Sequence, residues 1–165
     1  MDKVLRNLIR VGRVSSLNPA RATARVAFGD KDDLVSYDLP VLMPNAGVNR
    51  DYALPDVDDQ VVCLFLPNGI AQGFILGGFY STADPPPAAS ADKRLVRFSD
   101  GGTVEYDRAA SVLTVNTPGA VRITASGGVT ITGDTAINGN LQVSGSVNAG
   151  GSVIDAAGNT NHHKH

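Results

Sequence analysis

The three histidines of this chain sit together at its far end, in His162-His163-Lys164-His165. Neutral imidazole binds first-row transition metals, so this cluster makes the terminus metal-capable. Elsewhere, residues with chemical potential are sparse. The lone Cys63 lies in the apolar run Val61-Val62-Cys63-Leu64-Phe65-Leu66 and reads as a buried core thiol rather than a nucleophile. Asp56, Asp58 and Asp59 lack the ligand spacing and glycine of an EF-hand, so a solvated turn is the expectation. Neither Gly77-Gly78 nor Gly127-Gly128 is followed by the lysine-serine pair of a phosphate loop. No histidine precedes His162. A Ser-His-Asp hydrolase or a β-helix acyltransferase would therefore lack its base, and the chain reads as no enzyme.

The segment leading to those histidines repeats every six residues. Glycines fall at 127, 133, 139, 145 and 151. Two places after each sits Val129, Thr135, Leu141, Val147 or Val153, and four places after sits Ile131, Ile137, Val143, Ala149 or Asp155. The intervening positions are nearly all small or polar. Six residues hold three strand alternations, so the even offsets share one side. A short fixed period marks a β-helix or similar β rod rather than an ordinary core.

Composition divides the chain at Asp84-Pro85-Pro86-Pro87-Ala88-Ala89-Ser90-Ala91, where the prolines favour an extended connector. Upstream, Val4, Leu5, Leu8 and Ile9 have helical spacing and predict a short leading helix. Val11–Val14 and Arg21–Phe28 flank the turn signal Asn18-Pro19-Ala20. Further strands are expected at Leu39–Leu42, Gln60–Leu66 and Gly73–Phe79, the last two joined by the hairpin signal Pro67-Asn68-Gly69. About five short strands in this space predict a small Greek-key barrel of the OB type. Phe28, Phe65, Phe74 and Phe79 lie within strand runs and are read as its core. Downstream, residues around Asp100-Gly101-Gly102 read as a hairpin, and Ser111–Val115 and Val121–Ala125 lead into the hexads.

Bulk properties exclude several functions. A formal net charge of −2 offers no footprint for a polyanion, so nucleic acid is not an expected partner. The first residues lack a signal-peptide apolar core, and no apolar run is long enough to span a bilayer. The hexads also speak to assembly. Each Val, Ile or Leu of the stripe contributes roughly 1.5–3 kcal/mol only when buried. A thin ribbon left exposed would aggregate, and a stable repeat core needs about three or more coils from one chain. Several copies wound about a common axis solve both problems, with even offsets inward and glycines easing the bends. Three-fold winding is the expected form.

At this point a resemblance becomes specific. Val11-Gly12-Arg13-Val14, Leu39-Pro40-Val41-Leu42, and the segment Leu54-Pro55-Asp56-Val57-Asp58-Asp59-Gln60-Val61, similar to "LPDVGEQV", occur in order. They are followed by Ala71–Ser81, by Phe98–Asp107 and by Asp155–His165. Together these runs resemble the baseplate assembly protein V family, the central spike of contractile phage tails and tailocins. The resemblance implies an all-β homotrimer with an N-terminal OB-like barrel followed by an intertwined triple-stranded β-helix. It divides the chain into a collar and hub-binding domain (1–84), a proline-rich linker (85–92), a needle (93–157) and a metal-binding apex (158–165). The family's His-x-His motif falls on His163 and His165, implying one iron held on the three-fold axis by two ligands per chain; His162 leaves a second pairing open. The implied partners are the baseplate hub and tail tube, and the host outer membrane pierced on sheath contraction. Its implied place is the particle's baseplate centre, after assembly in the host cytoplasm. A type VI secretion-like spike, or an OB module binding oligosaccharide or nucleic acid on a β stalk, are the alternative readings.

Overall fold

The structure is a computed structural model that describes residues 8–29, 34–67 and 72–154. The named elements are β1 (Ile9–Asn18), β2 (Thr23–Phe28), β3 (Leu34–Val35), β4 (Leu39–Pro40), β5 (Gln60–Phe65), β6 (Gly73–Gly78), β7 (Lys93–Arg97), β8 (Thr103–Asp107) and β9 (Val112–Asn116), with a 3-10 turn at Pro19–Arg21. The chain divides into two compact units, Met1–Ala120 and Val121–His165.

The first six strands form one antiparallel sheet in the order β3-β2-β1-β5-β6, with β4 added to β2. Strand β1 serves two partners. Ile9–Arg13 pair with β5, and Arg13–Asn18 pair with β2 across an irregularity between Val14 and Ser16. Such a bulge bends a strand and increases its twist, which lets one strand turn a barrel corner. Closure comes from the residues after β4. The Val41 N–H donates to the Ala22 carbonyl (3.0 Å), and the Leu42 N–H donates to the Ile75 carbonyl of β6 (2.9 Å). The expected Leu39–Leu42 strand is shorter, Leu39–Pro40, with Val41 bridging to Ile75 beyond it. The barrel is the architecture expected from the alternation, with six strands rather than five. Strand β3 is the addition: two residues paired with Ala27 and Phe28.

The start differs from expectation. Most of the anticipated leading helix lies outside the described residues; Leu8 is helical, but Ile9 opens β1 opposite Leu64. From Ile9 onward the chain alternates exposed and buried residues, and that two-residue period belongs to a strand. The barrel interior holds Val14, Ala24, Val26, Phe28, Leu39, Val61, Cys63, Phe65 and Ile75. Phe28 and Phe65 meet edge to face with centroids 5.7 Å apart. Two of the expected core aromatics are elsewhere. Phe74 is half-buried and Phe79 is exposed, because Phe74 occupies the outward parity of β6 and Phe79 lies past its end.

Gly12 leaves no room for a side chain against β2. A Cβ there would lie 2.5 Å from the Ala27 carbonyl oxygen and 2.5 Å from Val26 Cγ1. Backbone cannot yield as a flexible side chain does. Gly12→Ala is therefore expected to destabilise the barrel by about 1–3 kcal/mol through overpacking. A lower denaturant midpoint at unchanged m-value checks this, and an unchanged midpoint contradicts it.

The remaining strands form a separate antiparallel sheet, β7-β8-β9. Its first hairpin is made by Asp100-Gly101-Gly102. Gly101 has φ 89°, and Asp100 Oδ1 accepts the Gly102 N–H at 2.9 Å. The turn into β9 is capped by the Asp107 carboxylate, which accepts the N–H groups of Ala109 and Ala110. One face carries Lys93, whose ammonium lies 2.8 Å from Glu105 and 4.0 Å from Asp107. On the opposite face the register aligns Arg94, Tyr106 and Leu113, then Val96, Val104 and Val115.

Candidate functional site

The hexads are the segment the sequence marks most strongly. Among the described residues after β9 there is no strand, and every residue from 117 to 154 is exposed. The apolar stripe runs from 47% exposed at Val143 to 81% at Val153, with Ile137 at 55%. The alternation predicts strands here, and their absence in an isolated chain has a simple cause. A single ribbon has no second strand to accept its N–H groups and no apolar layer to cover Val129, Ile131, Leu141 or Val147. Gly133 (φ 129°) and Gly139 (φ 151°) take backbone angles that other L-residues rarely adopt, so the repeat's glycines mark bends.

The expected metal ligands His163 and His165, with His162 and the rest of the expected 158–165 apex, lie outside the described residues. Among the described residues, no group of three or more His, Cys, Asp or Glu is arranged to hold a metal ion.

The acidic run before β5 is a built turn. The Asp59 carboxylate accepts the Asp56 N–H (2.8 Å), and the Asp59 N–H donates to the Asp56 carbonyl (3.2 Å). The Asp58 N–H donates to the Val14 carbonyl, and Arg13 donates to the Asp58 carbonyl at 3.0 Å. Asp58 has φ 74°, a left-handed angle that aspartate tolerates and glycine prefers. It stands where the similar "LPDVGEQV" segment has glycine. The turn is thus pinned to β1 from both sides of Asp58.

Cys63 is fully buried, and burial pushes its thiol from 9.0 up to about 11, against a smaller opposing effect of Arg10. The guanidinium of Arg10 sits 3.8 Å over the Phe28 ring. A buried arginine on the inward parity of β1 was not anticipated; the alternation Arg10, Gly12, Val14 is the signal that could have found it. The raised thiol pKa carries a pH prediction. The native state holds the proton more tightly than the unfolded chain, so this contribution is complete below pH 9. It should be lost as pH rises to about 11, with a slope of at most about 1.4 kcal/mol for each step of one in pH. Denaturant titrations between pH 8 and 11 should show this decline, and Cys63→Ala should flatten it. An equal slope in both proteins would remove Cys63 as the cause.

An open cleft of about 650 Å³ on the barrel's outer surface is lined by Arg13, Asp58, Asp59, Gln60, Phe79 and Tyr80, among others. Its carboxylates disfavour a polyanion, and Phe28 and Phe65 face the barrel interior.

With a closed five-plus-one-stranded barrel and an unpartnered hexad stripe established, comparison with known proteins is decisive. Residues 10–80 match the type VI secretion system/phage-baseplate injector OB domain. The barrel domain belongs to the baseplate assembly protein V family. The match begins at Arg10 in β1 and ends just after β6, so this family's domain is the barrel itself. A relative is the spike protein of Escherichia phage P2, 34% identical over 129 residues. That alignment covers 78% of this chain and 60% of the P2 protein, so the chain spans less than two thirds of that relative's length. It is also longer than the barrel and so includes sequence outside the OB domain.

Proposed function

We propose that this chain is the structural central spike of a contractile injection machine, acting as a homotrimer. The observation that carries this reading is the hexad stripe, apolar on one parity and exposed along its whole described length. The family of the barrel and the likeness to a phage spike protein support it. Three copies would cover each other's stripes and supply the strands that one chain lacks, forming a triple-stranded β-helix. The needle would pierce the host outer membrane when the sheath contracts, and the barrel would hold the baseplate hub beneath the tail tube. The work is mechanical and includes no catalytic step. The family description names both type VI and phage injectors, and the same mechanics serve either.

At the apex, His163 and His165 of three chains would offer six imidazole nitrogens, a donor set suited to an octahedral iron(II). The metal would tie the three copies of this segment together. Sedimentation equilibrium at micromolar concentration tests the assembly: a trimer mass is expected, and a folded monomer contradicts the reading.

The domain division belongs to the same proposal. Among the described residues the apolar core lies between Val14 and Ile75, so a fragment of residues 1–84 retains it. That fragment is expected to melt cooperatively by circular dichroism; a non-cooperative trace would place the boundary elsewhere.

A further inference from the structure

A hexad repeat specifies a stripe but not an alignment. Sliding one chain by six residues replaces Val129 with Thr135, Ile131 with Ile137 and Ile137 with Val143, and every apolar residue keeps its side. Glycine-rich strands of uniform pattern are weakly specified in register and prone to slippage. If three such ribbons assemble, something non-repetitive must align them.

The three-stranded sheet β7-β8-β9 has the required properties. Its two faces differ sharply. One is half-buried and mixed, with Lys93 bridged to Glu105 and Asp107 beside Leu95 and Val112. The other presents Val96, Val104, Tyr106, Leu113 and Val115, each between 40% and 64% exposed, with the charged Arg94 at its edge beside Tyr106. A contiguous apolar face of this kind on a folded sheet marks an interface. Its pattern occurs once, so it has no equivalent alignment six residues away. We infer that this face is the register clamp of the trimer, packing against the same face of two other copies and fixing the alignment in which the hexads wind. The inference rests on the trimeric reading above. A second copy is the occupant because the same chain continues from β9 at Asn116 into hexads beginning at Gly127, and these need partners of identical sequence in identical register.

Register is measurable. In the full-length protein, Ser144→Cys places a nitroxide label at a polar position of the repeat, while Cys63 stays buried and protonated. Pulsed EPR on the otherwise unaltered chain should give one narrow interchain distance. The variant Val104→Ser with Leu113→Ser should still associate through its hexads but gain longer distances, since a one-hexad slip displaces a strand by up to about 20 Å. Thr114→Ala, on the opposite face, should leave the narrow distance unchanged. Should the double variant lose its barrel, reported by Cys63 becoming reactive, the near-isosteric Val115→Thr alone should broaden the distribution. A single unchanged distance in both face variants would overturn the clamp while leaving the trimer intact, and the face would then belong to another partner. Register loss from Thr114→Ala equal to that of the face variants would overturn it as well. Absence of any interchain distance in the unaltered chain would sink the clamp and the trimer together.

Discussion

Replacing Ile137 with Asp is expected to abolish the soluble trimer. Ile137 sits at the four-place offset in the middle of the repeat and is 55% exposed in the isolated chain. In a trimer its three copies would face a common axis. Three carboxylates there would be desolvated at several kcal/mol each, with like charges adding repulsion and no cation nearby. The apolar contribution of each isoleucine, roughly 1.5–3 kcal/mol when buried, would vanish as well. Size-exclusion chromatography with light scattering reads the result: monomer or aggregate for the variant, trimer for the parent. Normal assembly of Ile137→Asp would show that even offsets do not face inward. Asn138→Asp, one residue on and on the other parity, is the matched control and should assemble.

The second large effect is loss of metal. His163→Ala with His165→Ala should reduce bound transition metal to background while leaving the trimer folded, since the apolar stripe lies upstream. Elemental analysis of protein purified without nickel resin should find about one iron per three chains in the parent. Coordination needs neutral imidazole, so acidification well below the ordinary histidine pKa of about 6.5 should release the metal as protons compete. Metal retained by the double variant, or no transition metal in the parent, would refute the site. His162→Ala is informative beside it: unchanged metal content would assign the pair to His163 and His165.

Much of this molecule is legible from residue order, for physical reasons. Strands β2, β5 and β6 are half-buried ribbons whose inward positions are small or apolar, so alternation reveals them. The hexads are legible because their period is written in glycine. What escaped was set by tertiary context. Ile9 fits a helical spacing with Val4, Leu5 and Leu8, and only its pairing with Leu64 decides for a strand. Two-residue β3 has no length in which to show a period. Phe79 reads as core because it extends an apolar run, yet strand β6 ends at Gly78 and leaves the ring outside. Ser36 is buried, accepting the Val26 N–H and donating to the Tyr37 carbonyl, and nothing in its local sequence marks that. The histidine pair was legible only by type and by likeness, and it lies outside the described residues.

The three-stranded sheet has a consequence for how load passes along the chain. With an odd number of antiparallel strands, the chain enters and leaves at opposite ends. Lys93 lies in the row of Asp107 and Val112, and Asn116 lies in the row of Thr103 and Arg97. Tension between those two points pulls the outer strands past each other along their length. The ladder bonds then lie across the pull and share it, rather than opening one after another from an end as a two-stranded hairpin would. A fourth strand would return the exit to the entry side and convert this shear geometry into an unzipping one. Under tension the sheet therefore behaves as a splice in the chain rather than as a zipper.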